Sequence, residues 1–163
     1  MLKNITVQAL AFFLLFQLIS WIRELPLLSS DEKAPGYTLT SLKGTEFNSN
    51  IFNGKPTIVF FWAPWCSVCK VSMPNLQSFY EENGKDINVV SIALSYTSKQ
   101  EVVDIIEKQS LTFTTLLGND KTATDYKIKG FPTYYILDAN GKVHAKSMGY
   151  SSELGIKART LTL

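Results

Sequence analysis

Phe60-Phe61-Trp62-Ala63-Pro64-Trp65-Cys66-Ser67-Val68-Cys69-Lys70 holds the only two cysteines of the chain, separated by two residues. The apolar, β-rich run at 57–61 reads as a strand. Behind the pair, Val71, Met73, Leu76, Phe79 and Tyr80 recur at helical spacing, with Pro74 inside the pattern and Asn83-Gly84-Lys85 ending it. Pro74 removes one hydrogen bond and predicts a kink. A strand that delivers Cys-x-x-Cys to a helix N-terminus sets up a reactive dithiol.

The unsatisfied N–H groups and dipole of a helix start favour negative charge, so Cys66 placed there is stabilised as a thiolate and becomes the attacking nucleophile. Cys69, one turn on and pointing inward, can then open a mixed disulfide formed at Cys66. Residues i and i+3 share a helix face, so a disulfide can close within that turn. Three other readings compete. A structural disulfide closing so short a loop constrains the unfolded chain little. A zinc site needs four ligands, and with His144 the only histidine it could form only between chains. Two inert core cysteines would not call for an exposed Trp-Cys setting. Redox chemistry is the reading the setting favours.

Outward from the pair, the 163 residues give room for one domain plus an appendage. A composition of 45% hydrophobic and 18% charged residues excludes a disordered or fibrous chain. The net charge of +2 is too small to suggest a nucleic-acid partner. Lys3 is the single charge in the first 22 residues. Residues 5–22 are uncharged, broken only by Thr6, Gln8, Gln17 and Ser20. As a helix that run spans about 27 Å, close to the hydrocarbon thickness of a bilayer. Trp21, Arg23 and Glu24 mark its far end like interfacial anchors. A cleaved signal peptide competes, with Leu28-Ser29-Ser30 a weak cleavage site. The expected division is an anchor at 1–24, a linker at 25–33 containing Pro26, Ser29 and Ser30, and a folded domain at 34–163. The expected location is the inner (cytoplasmic) membrane, single-pass, with the domain on the periplasmic side. A lone exported Cys pair fits that side, because no third thiol is available for wrong pairing.

Within the domain, Tyr37, Leu39 and Leu42 followed by Lys43-Gly44-Thr45 predict a short hairpin, and Asn53-Gly54-Lys55-Pro56 a second turn. Residues 87–94 read as a buried strand. Ser98-Lys99-Gln100-Glu101 has a capping-box pattern before an apolar helix face. Residues 113–117 predict a strand, 120–126 a short helix, 134–137 and 143–148 a second hairpin around Asp138-Ala139-Asn140-Gly141, and 152 onward a terminal helix. Strands alternating with helices give an α/β domain with a mixed sheet.

These residues resemble a known superfamily. Residues 61–70 look like the active-site segment of thioredoxin-like proteins, Pro74 falls where they kink the helix, and Gly130-Phe131-Pro132-Thr133 looks like their cis-proline loop. Ala34-Pro35-Gly36-Tyr37-Thr38-Leu39, Leu42-Lys43-Gly44 and Gly54-Lys55-Pro56 resemble the N-terminal hairpin of the membrane-anchored TlpA/ResA/CcmG branch. The resemblance covers 34–149. It implies a thioredoxin-like mixed sheet flanked by helices, preceded by one transmembrane helix, and a thiol–disulfide oxidoreductase without cofactor beyond the Cys66–Cys69 pair. It further implies Trp65, Phe131 and Pro132 as the substrate surface, protein thiols and disulfides as substrates, and a membrane redox partner of the DsbD type. Thioredoxin carries a buried Asp where this chain has Phe60, and reductases of the branch often carry an acid where it has Ser72. A carboxylate there raises neighbouring thiol pKa values and can shuttle a proton. The Cys-x-Val-Cys pair and the missing acid are similar to the ScsD type, the periplasmic oxidoreductase linked to copper-stress suppression. The rival is a copper-handling protein using the two thiols as soft ligands; the copper chaperones of the Sco group resemble a longer Cys-x-x-x-Cys with a distant His. Ser67-Val68 is neither Gly-Pro nor His-containing, which predicts an intermediate potential. Trp62 and Trp65 are expected to pack around the dithiol, and His144 to lie on the surface.

Overall fold

The computed structural model describes residues 2–52 and 54–163, with side chains described for 7–50 and 54–163. Met1 of the expected anchor, Asn53 of the second expected turn and the side chains of Lys3, Ile5 and Thr6 lie outside the described residues. Helix α1 runs from Leu2 to Glu24, and its stretch Val7–Glu24 is long and apolar enough to cross a membrane, with none of it buried in the body.

Strands β1 (Thr38–Ser41), β2 (Glu46–Asn48), β3 (Thr57–Trp62), β4 (Asn88–Ala93), β5 (Thr114–Leu117), β6 (Thr133–Leu137) and β7 (Val143–Met148) form a seven-stranded sheet ordered β2-β1-β5-β4-β3-β6-β7. β3 lies parallel to β4 and antiparallel to β6, so the sheet is mixed as expected. Both faces of β3 are covered and all its residues are buried, which is why its sequence is continuously apolar rather than alternating. Helices α2 (Ser67–Asn83), α3 (Lys99–Lys108), α4 (Asp120–Asp125) and α5 (Glu153–Thr160) connect or follow the strands. Pro74 lies inside α2, which continues unbroken to Asn83.

Two cores lie on the two faces of the sheet. Ile58, Phe60 and Trp62 point to one, with Met73, Leu76 and Phe79 of α2, Val102 of α3 and Ile156 of α5. Val59 and Phe61 point to the other, with Tyr126, Tyr135, Leu39, Leu27 and Leu28. The period-two alternation of β3 thus assigns each residue its face. Ser98 caps α3 through the Glu101 N–H at 3.3 Å, and Ser152 caps α5 through the Gly155 N–H at 3.2 Å. In the β6–β7 turn, Asp138 Oδ1 accepts from the N–H groups of Asn140 and Lys142, both at 2.8 Å, and Gly141 takes the positive φ of 74° that closes the turn.

Residues 25–33, expected as a linker, are packed onto the body. Leu27 and Leu28 are buried, the Leu28 N–H donates to Tyr135 OH at 3.1 Å, and Lys146 Nζ donates to the Leu28 carbonyl at 2.8 Å. Asp31 N–H donates to Val143 O at 2.8 Å, Val143 N–H to Glu32 O at 2.9 Å, and Ala34 N–H to Gly141 O at 2.9 Å. The segment therefore runs along the outer edge of β7 and fills the second core.

Candidate active site

β3 ends at Trp62, and Ala63 and Pro64 carry the chain off the carboxyl end of this central strand toward α2. The Cys66 N–H donates to Ala63 O at 3.0 Å, which folds this crossing into a tight turn. Cys66 then occupies the N-cap of α2 with an extended backbone (φ −80°, ψ 104°), and its Sγ accepts from the Cys69 N–H at 3.1 Å. The sulfur thus satisfies an N–H that the first helical turn leaves without an intrahelical partner. Cys66 and Cys69 are joined as a disulfide with their Cα atoms 5.3 Å apart. The two cysteines are unequally buried: Cys66 retains 6% exposure and Cys69 none.

The second wall of the site is the loop before β6. The Phe131–Pro132 peptide bond is cis. Thr133 opposite Phe61 and Met148 opposite Thr133 fix this loop to the end of the sheet where α2 begins. Gly149 N–H donates to Pro132 O at 2.8 Å, and Thr133 Oγ1 donates to Gly130 O at 2.8 Å. Trp65 crosses between the two walls. Its ring meets Phe131 edge-on at 5.6 Å between centroids, and its indole N–H donates to Ser95 O at 3.2 Å. Trp65 is 64% exposed whereas Trp62 is fully buried, so of the pair expected to pack around the dithiol only Trp62 belongs to the core. Cys66, Cys69, Trp65, Phe131 and Pro132 are therefore all gathered at one end of the sheet. His144 is away from it, on β7, with Nε2 at 3.0 Å from Thr162 Oγ1.

Sequence reasoning did not find three other participants. Ser95 holds Trp65 through a backbone carbonyl, an atom that no side-chain pattern reports. Gly118 lies beside the same end of β4: a Cβ there would meet Ile92 Cγ2 at 2.6 Å, so the close approach of the two chains requires glycine. Tyr134, paired with Phe60 across β6 and β3, packs its ring on the Phe60 ring at 4.7 Å and its hydroxyl against Ser72. Burial pushes the Tyr134 phenol well above its ordinary range, so it is a neutral O–H at any physiological pH.

A disulfide at a helix start, with its first cysteine at the N-cap and slightly exposed and its second sealed, is arranged for thiol–disulfide exchange. A model of the AhpC/TSA family matches residues 31–146. The chain belongs to the AhpC/TSA family. It is 30% identical to a thioredoxin-like protein of Haemophilus influenzae over 98% of this chain and 92% of that one. To the thiol-disulfide oxidoreductase ResA of Geobacillus kaustophilus it is 32% identical over 68% of this chain and 64% of ResA. Among solved structures, the thioredoxin domain of a thiol-disulfide oxidoreductase from Bacteroides vulgatus superimposes with a TM-score of 0.74 at 25% identity, covering 83% of this chain and 99% of that domain. This AhpC/TSA-family chain is thus a thiol–disulfide oxidoreductase of the ResA type, with the Cys66–Cys69 disulfide.

Proposed function

We propose that this oxidoreductase is tethered by residues 1–24 to the cytoplasmic membrane, with the domain from residue 34 on the periplasmic side and 25–33 joining the two. Cys66 is the nucleophile and the point of attack, Cys69 resolves, and Trp65, Phe131 and Pro132 form the surface that receives a protein thiol or disulfide. The observation that carries this reading is Cys66 at the N-cap of α2, its sulfur 3.1 Å from the Cys69 nitrogen while Cys69 is sealed from solvent. In the reducing direction, a Cys66 thiolate attacks a substrate disulfide, one substrate sulfur leaves as a thiolate, and Cys69 then attacks Cys66 Sγ to release the second. The chain ends as the Cys66–Cys69 disulfide and the substrate as a dithiol, so two electrons have moved to the substrate.

The next dithiol must come from elsewhere, and a membrane redox partner of the DsbD type suits a tethered protein. Glu24, at the end of α1, lies against the Met148 backbone, so the tether leaves the body at the same end as the dithiol. Within the branch, the Cys-x-Val-Cys spacing and the absence of an acid at Phe60 and Ser72 favour an ScsD-like role in copper stress. Exchange of a model protein disulfide tests the central reading: Cys66→Ser is expected to lose it entirely, and unchanged exchange in that variant would refute it. Stoichiometric Cu(I) binding that blocks exchange would favour the copper-handling alternative instead. Equilibration with glutathione sets the direction, with about −270 mV marking a reductant and about −120 mV an oxidant.

A further inference from the structure

The side chains around Cys69 include two polar groups that the disulfide does not use. Ser72 follows Cys69 by one helical turn on the buried face of α2 and has no solvent exposure. Helical side chains lean toward the N-terminus, so the Ser72 hydroxyl lies over the turn that holds Cys69. Tyr134, 2% exposed, approaches from β6 with its hydroxyl against Ser72. Among the described residues, neither Ser72 Oγ nor Tyr134 OH has a hydrogen-bond partner of ordinary geometry. Ser72 does not bond back to the preceding turn, the usual refuge of a helical serine. Two adjacent buried hydroxyls left unsatisfied are costly and unusual.

They become useful when the disulfide opens. Attack by an incoming protein thiolate on Cys66 Sγ forms the mixed disulfide, breaks the Cys66–Cys69 bond and leaves the electron pair on Cys69 as a thiolate. That charge appears in the buried apolar core that Cys69 shares with Phe60, Trp62, Met73 and Tyr134. No carboxylate stands at Phe60 or Ser72 to oppose it. Resting on the roles given to Cys66 and Cys69 above, we propose that Ser72 and Tyr134 are positioning residues for the resolving cysteine: Ser72 donates its O–H to the Cys69 sulfur released on reduction, and the Tyr134 O–H donates to Ser72 behind it. A proton from the substrate's second thiol or from water then completes the thiol, and that second thiolate displaces Cys66. The substrate leaves oxidised and the protein reduced.

The other titratable or charged groups facing the pair are Arg159 of α5 and Tyr150 in the turn before it. Lys70 lies on the exposed side of α2, and β3 and α3 bring Phe60, Trp62 and Val102, none of which ionises. The donors stabilise the reduced protein and are orphaned in the oxidised one, so both effects act in the same direction. Removing a donor shifts the equilibrium toward the disulfide.

The test is the thiol–disulfide equilibrium of the full chain with glutathione, read together with the pH dependence of Cys69 alkylation in a Cys66→Ser background. Ser72→Ala and Tyr134→Phe are each expected to favour the disulfide by about three- to tenfold. Ser72→Ala should also move Cys69 ionisation up by about half a pH unit. Ser72→Thr, which keeps the hydroxyl, should stay within about twofold of the parent. A packing role alone would move neither readout. The proposal is overturned if Ser72→Ala lies within about twofold of the parent, or if Ser72→Thr is displaced as far as Ser72→Ala. Failure of the underlying reading is separate: it shows as exchange retained in Cys66→Ser, whereas failure here shows as an unmoved equilibrium with exchange intact.

Discussion

Trp62 and Trp65 stand three residues apart and have opposite fates. Trp62 shares the face of β3 that carries Ile58 and Phe60 and is sealed under α2; Trp65 has left the strand and lies open between Ser95 and Phe131. Trp62→Ala is expected to cost about 3–5 kcal/mol of stability, read by urea unfolding, because it empties a close-packed site. Trp65→Ala should change stability by no more than about 1 kcal/mol. If the ring forms the proposed substrate surface, Trp65→Ala should instead lower kcat/KM for a protein disulfide about tenfold, while exchange with a small dithiol stays nearly unchanged. Equal losses with both substrates would place Trp65 in the chemistry instead. The two cysteines were legible as a residue type at a fixed spacing, and Pro132 and the missing acids at Phe60 and Ser72 through the resemblance to thioredoxin-like proteins. The placement of Tyr134 was not, because it depends on which residue of β6 pairs with Phe60, and that register is set by the whole sheet.

At the scale of elements, local chemistry made most of the fold readable. The apolar run of β3, the Ser98 cap and the Asp138-Ala139-Asn140-Gly141 turn each act over a few residues, and each forms where the pattern predicts. The β6–β7 turn carries a pH signature. Partial burial of the Asp138 carboxyl acts to raise its pKa, but the N–H groups of Lys142 and Asn140 outweigh it and hold the pKa below the ordinary carboxylate range. A lowered folded-state pKa means that Asp138 contributes stability fully above the unfolded carboxylate value. The contribution is lost as pH falls through the folded one. Urea unfolding at pH 7 and near pH 3 is expected to show a smaller drop in Asp138→Asn than in the parent. An identical drop would contradict this assignment. Residues 25–33 were not legible in the same way. Nine residues with Pro26 and two serines show no periodicity, and their partners, Val143 and Tyr135, lie more than 100 residues later in the chain.

For the molecule as a whole, that segment means the helix α1 and the catalytic body are joined without slack: the Leu25 N–H still donates to Trp21 O at 3.2 Å, and Leu27 is already in the core. Leu28→Ala in the full chain is therefore expected to destabilise the body by about 2–4 kcal/mol, as a core truncation does. A free linker would give no change in the unfolding midpoint. With α1 leaving the body beside the dithiol end, the proposed tether would hold a single exchange site in which Cys66 is the less buried cysteine. Covalent trapping by the full-length chain tests that claim most directly. Full-length Cys69→Ser, which cannot resolve, should accumulate mixed disulfides that map to Cys66 and dissolve on reduction, while full-length Cys66→Ser accumulates none. Comparable trapping by both variants, or trapping only through Cys69 in Cys66→Ser, would contradict the account.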